Sequence, residues 1–188
     1  DITSKTIFMD GGEELAFDHL VNTIPLTDFI DLCVKGNASC VPENVVEAKD
    51  KLRANSVLYF DVAIKGAPKE HQDYHWIYCP ESDFHFYRVG SYSAVEPSLA
   101  PANHRSYYVE MGHYGDVDPT QFEQGVIDGL RRLGILEDED ELIFMIPNVL
   151  SPAYVLFDHN YEEARRTVIE WVEAQGVHTM GRYGRWQY

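Results

Sequence analysis

Apolar and polar positions alternate in two rhythms along this chain. KTIFMDGGEELAFDHLVNTIP reads as a hairpin followed by a strand. Asp10-Gly11-Gly12 supplies the turn, because glycine adopts positive φ at little cost. Phe17, Leu20, Val21 and Ile24 then carry the chain to Pro25, which ends the strand. LTDFIDLCVKG predicts a short helix. Pro42 opens a second, with Val45, Val46, Ala48 and Leu52 as its buried stripe. NSVLYFDVAIKG, DYHWIYC, FHFYRVGSY and RSYYVEMGHY are rich in β-branched and aromatic residues and read as strands. Turn residues separate them at Gly66-Ala67-Pro68, at Pro80-Glu81-Ser82-Asp83 and at Ala100-Pro101-Ala102-Asn103.

The helical rhythm returns after Asp118-Pro119, with Phe122, Val126, Ile127, Leu130 and Leu133 on one face and Gly134 as the stop. ELIFMIPNV and PAYVLFD are extended. Asn160 is placed to cap a last helix, with Glu163 completing a capping box. Ala164, Val168, Trp171 and Val172 form its apolar face, and Gly176 ends it. VHTMG is a strand leading into GRYGRWQY. The order predicts an α+β fold, a mostly antiparallel mixed sheet with helices packed on one face.

Charge narrows the function. The 188 residues carry 31 acidic and 15 basic side chains, a net charge of −16. Phosphate backbones and anionic membrane surfaces both select basic faces, so neither nucleic acid nor such a membrane is an expected partner. Cys33, Cys40 and Cys79 are odd in number and form no CxxC, which points to a reducing, cytoplasmic setting. No stretch approaches the ~20 apolar residues of a membrane helix. The chain starts with Asp inside an apparent strand and stops after an aromatic run, so a segment of a larger protein is expected.

Few motifs carry chemistry. GxGxxG, the P-loop and GxSxG are absent, and no catalytic residue stands out among the scattered carboxylates. Glu137 to Glu141, EDEDE, reads as a solvated loop. His71-x3-His75 has the spacing of a metal pair on a helix, but its surroundings read as a strand, so no metal site is expected. His113, His159 and His178 read as ordinary polar or core residues. The terminal run GRYGRWQY is richer. Glycine permits close backbone approach, arginine offers a planar fork, and Tyr and Trp give flat walls with a polar handle. The run can surround a flat anionic ligand, and it can equally be a turn with aromatic packing and solvated arginines. Tyr154, in LSPAYVLFDHN, faces a ligand or sits half-buried in a strand.

HWIYCPESDFHFYRVGSYSAVEPSLAPANHRSYYVEMGHY resembles the substrate-domain stretch of the protoporphyrinogen oxidase-like flavoproteins. These belong to the FAD-dependent amine oxidase superfamily, which also contains UDP-galactopyranose mutase. MDGGEELAFDHLVNTIPLTDFI resembles the family's hairpin, strand and short helix. PAYVLFDHNYEEARRTVIEWVEAQGVHTMGRYGRWQY resembles its Tyr-bearing strand, the helix after it and its G-R-x-G-x-W-x-Y run. The resemblance spans nearly the whole chain, and the order of the motifs is more specific than any one of them.

The resemblance implies the substrate-binding domain of a two-domain flavoprotein. Residues 1–188 would be one such fragment, with 1–25 and 177–188 as strands joining an FAD-binding domain of the same protein. Gly181, Arg182, Tyr183 and Trp186 match positions at the cofactor. Tyr154 and Tyr188 match positions at the substrate. Phe157 departs from the pattern, standing where many members carry tyrosine or asparagine, and Arg88 matches a strand arginine read as structural. The expected function is the substrate-binding part of an FAD-dependent oxidoreductase, inactive without its Rossmann domain. A mutase acting on a nucleotide sugar and a non-catalytic binding domain are the alternatives. The small-molecule substrate is unspecified. A cofactor face exposed in an isolated segment would favour a homodimer.

Overall fold

A computed structural model describes residues 1–67 and 73–188. His71 and the end of the Gly66-Ala67-Pro68 turn lie outside the described residues. In chain order the elements are β1 (Thr6–Phe8), β2 (Glu14–Ala16), β3 (Leu20–Asn22), α1 (Leu26–Gly36), α2 (Glu43–Lys51) and β4 (Ala54–Lys65). There follow β5 (Trp76–Tyr78), β6 (Arg88–Ser91), α3 (Tyr92–Val95), β7 (His104–His113), α4 (Glu123–Arg132) and β8 (Glu141–Val155). Last come α5 (Tyr161–Ala174), β9 (Val177–Thr179) and the single turn α6 (Gly181–Gly184). The backbone divides into two compact units, residues 55–153 and the flanking segments 1–54 and 154–188.

The inner unit is built on a five-stranded antiparallel sheet of order β5-β6-β7-β4-β8. Alternation on β4 places Leu58, Phe60, Val62 and Ile64 on one face, joined by Tyr107, Val109 and Met111 of β7. Val126 and Leu130, one turn apart on α4, cover that face. Gly125 and Gly129 make α4 a poor helix by propensity, each costing about 1 kcal/mol relative to alanine. Their reason is close packing. A β-carbon at Gly125 would run into His85, and one at Gly129 into the Phe86 ring.

A buried ion pair ties down the far edge. Arg105 Nη2 lies 2.7 Å from Asp140 Oδ1, with both side chains under 5% exposed. Arg105 Nη1 donates to the Ile135 carbonyl at 2.9 Å. The EDEDE stretch is therefore not a wholly solvated loop as expected. Asp140 turns inward because the Arg105 guanidinium needs an anionic partner in that core.

In the outer unit α1, α2 and α5 enclose a core of Leu26, Ile30, Val45, Val168 and Val172. β3 and β9 form a parallel pair, Leu20↔Val177 to Asn22↔Thr179. β1 and β2 form the expected hairpin, with Gly12 at φ 82°. Two local expectations fail here. Asn160 does not cap α5 with its side chain. Asp158 instead accepts from the Asn160 N–H at 3.0 Å, an Asx turn that leads the chain into the helix. The final strand also stops early. Residues 177–179 are extended, but Gly181 at φ 73° turns the chain into α6. Arg165 of α5 holds that turn, its Nε donating to the Arg185 carbonyl at 2.6 Å and its Nη2 to Gln187 at 2.8 Å. No helix among the described residues is long and apolar enough to cross a membrane.

Candidate functional site

Four of the six residues singled out in the sequence meet at one place. The Arg182 guanidinium lies 4.5 Å from the Tyr188 ring centroid, 4.9 Å from that of Tyr154 and 5.8 Å from that of Tyr183. Tyr154 and Tyr188 stack at 6.1 Å and an interplanar angle of 28°. A guanidinium over ring faces is attracted by their quadrupoles. Three elements make the arrangement: the end of β8 brings Tyr154, α6 brings Arg182 and Tyr183, and the residues after α6 bring Tyr188.

Gly181 starts the turn. Nothing lies within 4 Å of where its β-carbon would be, so the backbone is open to a flat ligand there. Trp186 is placed differently. It is 2% exposed and packs in the outer unit's core at φ 50°. Its carbonyl accepts from the Tyr161 hydroxyl at 2.8 Å. Trp186 thus anchors the turn from below and offers no ring face to a ligand. Arg185 is also structural, reaching Glu173 at 3.2 Å and the Thr179 hydroxyl at 3.2 Å.

Phe157, which the sequence marked only as a departure, extends the aromatic wall. It meets Tyr161 edge-on at 4.6 Å and Tyr188 at 5.4 Å, and it is 61% exposed. The chemistry of the cluster is that of a wall and a cation. Among the described residues no group of His, Cys, Asp and Glu is placed to hold a metal ion.

A second arginine cluster, read from sequence as structural, lies on the inner unit's sheet. Arg88 pairs with Glu110 opposite it in the register. Its guanidinium lies 5.8 Å from the ring centroids of Tyr78 and Tyr87 and 6.0 Å from that of Tyr108. Gly90 is essential to this packing, because a β-carbon there would enter the Tyr108 ring. The available signal was the alternation of Tyr59 and Asp61 with the apolar stripe of β4, which marks a polar, aromatic second face.

No protein-family model and no curated protein sequence matches the chain. Solved structures do match it. A reduced UDP-galactopyranose mutase superposes with a TM-score of 0.86 at 23% identity, over 100% of this chain and 40% of that one. A putative protoporphyrinogen oxidase from Exiguobacterium sp. 255-15 gives a TM-score of 0.66 at 16% identity, over 95% of this chain and 39% of that one. The fold is therefore shared with both, as the sequence resemblance implied, and the chain spans about two fifths of their length.

Proposed function

We propose that this chain is the substrate-binding portion of an FAD-dependent oxidoreductase, completed by an FAD-binding domain. The observation that carries the reading is the convergence of Arg182, Tyr154, Tyr183 and Tyr188 beside the open backbone of Gly181. A flat, polar-edged ring fits that setting: open backbone below one edge, a guanidinium at hand and tyrosine faces alongside. Gly181, Arg182 and Tyr183 would meet the cofactor, while Tyr154 and Tyr188 would line the substrate side. Trp186 would act through the position of the turn.

FAD, when bound, supplies the acceptance of a hydride equivalent. The residues of this chain then have positional work. Arg182 opposes negative charge at the ring edge, and the tyrosines with Phe157 exclude water. No acid or base from this segment is required, in keeping with the lack of one in the sequence. The isolated chain is expected to be inactive and to bind FAD weakly or not at all.

The greater likeness to the mutase favours a second reading, rearrangement of a nucleotide sugar without net redox change. One set of spectra tests both. The full-length protein containing this chain should show flavin bands that bleach with dithionite, weakened or shifted by Arg182→Ala. Conversion of UDP-galactopyranose only after reduction would select the mutase. A colourless protein that FAD cannot reconstitute would overturn both and leave a binding domain.

A further inference from the structure

The turn that carries Arg182 and Tyr188 is unfavourable taken by itself. Gly181 stands at φ 73° and Trp186 at φ 50°. Positive φ strains a side chain as large as tryptophan, and such strain persists only where the surroundings over-determine it. The Trp186 indole is also buried, and its Nε1–H has no hydrogen-bond partner among the described residues. A buried donor left unmet is a further cost. Groups outside the turn must therefore hold it in place.

The holding groups come from one side of α5. Tyr161 and Arg165 are one helical turn apart, so their side chains project together. The Tyr161 hydroxyl donates to the Trp186 carbonyl at 2.8 Å. Arg165 Nε donates to the Arg185 carbonyl at 2.6 Å, and its Nη2 donates to Gln187 Oε1 at 2.8 Å. Residues 185, 186 and 187 are thus gripped in succession. Both Arg165 acceptors are neutral, a carbonyl and an amide, so the position uses the geometry of the guanidinium fork rather than an ion pair. The grip reaches the ring cluster along the backbone. The Gln187 N–H donates to the Arg182 carbonyl at 2.9 Å, and Tyr188 follows Gln187 directly. Phe157 meets the Tyr161 ring edge-on, so the same helix side also backs the aromatic wall. All of these residues lie in the outer unit.

We propose that Tyr161 and Arg165 are positioning residues for the ligand wall. By fixing residues 185–187 they set where Arg182 and Tyr188 stand beside Tyr154, and they act without touching the ligand. This inference rests on the reading of that wall as a flavin and substrate site. A grip that only closes the outer unit's core would support the fold and leave the ligand unaffected.

The test has two arms. In the 188-residue chain, nuclear Overhauser contacts between the Tyr154 and Tyr188 rings report the wall directly. Arg165→Met keeps the apolar stem and removes both prongs, so it should abolish those contacts. Arg165→Lys can restore one bond and should recover part of them. In the full-length protein containing this chain, Arg165→Met should weaken FAD binding about tenfold, the loss of a hydrogen bond from a charged donor. It should also shift the flavin bands in the same direction as Arg182→Ala. Gln187→Leu is the milder variant should Arg165→Met fail to fold. It removes one acceptor and should weaken binding about threefold. A merely structural grip would lower the melting temperature and leave the flavin bands and FAD affinity of the folded variants unchanged. That result, or ring contacts that persist in Arg165→Met, would overturn the proposal. A colourless wild-type protein would overturn the flavin reading itself, and this role with it.

Discussion

Two arginines in this chain each lie over three tyrosine rings, and they are held there by different means. Arg88 sits in regular sheet, where the register dictates its neighbours: Tyr78 on one side, Glu110 on the other. Arg182 sits in a single helical turn near the chain's end, where no register operates. Its place depends on a positive-φ glycine, on Trp186 sunk in the core and on the Arg165 bonds from α5. The sheet fixes a cluster by repetition, whereas the turn fixes one by a few unique contacts. The first therefore fails only when the sheet fails, and the second can be lost piecemeal.

The sharpest break is expected under the sheet. Asp140→Ala leaves the Arg105 guanidinium buried without its carboxylate. Removing one partner of a buried pair costs about 3–5 kcal/mol. Urea unfolding of the variant should show a loss of that size. A loss under about 1 kcal/mol, the range of surface pairs, would mean that the pair is hydrated and that the sheet cluster rests on something else.

A change of one methyl group should separate the turn from the sheet. A β-carbon at Gly184 would collide with the Asn22 carbonyl oxygen and crowd the backbone of Thr23. Both obstacles are main chain, so the turn has to move away from β3. Gly184→Ala should cost about 1–3 kcal/mol as an overpacking change. It should also disturb the ring resonances of Tyr154 and Tyr188 while leaving those of Tyr78 and Tyr108 unchanged. Equal disturbance of both sets would erase the distinction between the clusters.

The sequence carried these two clusters unequally. Strand alternation in NSVLYFDVAIKG and RSYYVEMGHY gave the sheet and its apolar face, because burial repeats every second residue there. It did not mark Arg88 as the centre of a ring cluster, since that depends on which strands pair, and β5, β6 and β7 meet only in three dimensions. GRYGRWQY gave the members of the other cluster by residue type. Its conformation was misread as strand because Arg165, Gly184 and Asn22 act on it from distant positions. Trp186 shows the same limit: an indole in a terminal run looks like a ligand wall until the core beneath it is known. Asp140 stood in an acidic run whose other members are exposed, and only Arg105 distinguishes it.

A milder change tests how far the register protects Arg88. Glu110→Gln removes the ion pair but keeps a neutral acceptor of the same shape. The pair is only partly buried, at 20% and 15% side-chain exposure, so the expected loss is about 1 kcal/mol. The strand pairing should hold Arg88 over its tyrosines, and the Tyr78 and Tyr108 resonances should move little. Release of Arg88 would show that charge, rather than register, positions it.

The smallest effect compares the units through their buried thiols. Burial, reinforced by nearby Cys40, raises the Cys33 thiol in the outer unit from 9.0 to about 12. Burial, reinforced by nearby Glu81 and offset in part by Arg132, also raises Cys79 in the inner unit. In each case the folded state keeps a proton that the unfolded chain releases near pH 9. The stabilisation is complete below that pH and is lost as pH rises through the folded value, with a slope of at most about 1.4 kcal/mol per pH unit for each thiol. Tyr74, raised to about 12 chiefly by burial, joins from pH 10 upward. Melting temperatures measured from pH 8 to 10 should therefore fall, and the readout is the slope rather than the absolute value, because either substitution also leaves a small cavity. Cys33→Ala should flatten that slope more than Cys79→Ala, since burial and Cys40 lift the outer-unit thiol to about 12 even against the N-terminal ammonium near it. Equal flattening would mean that the two units bury their thiols alike.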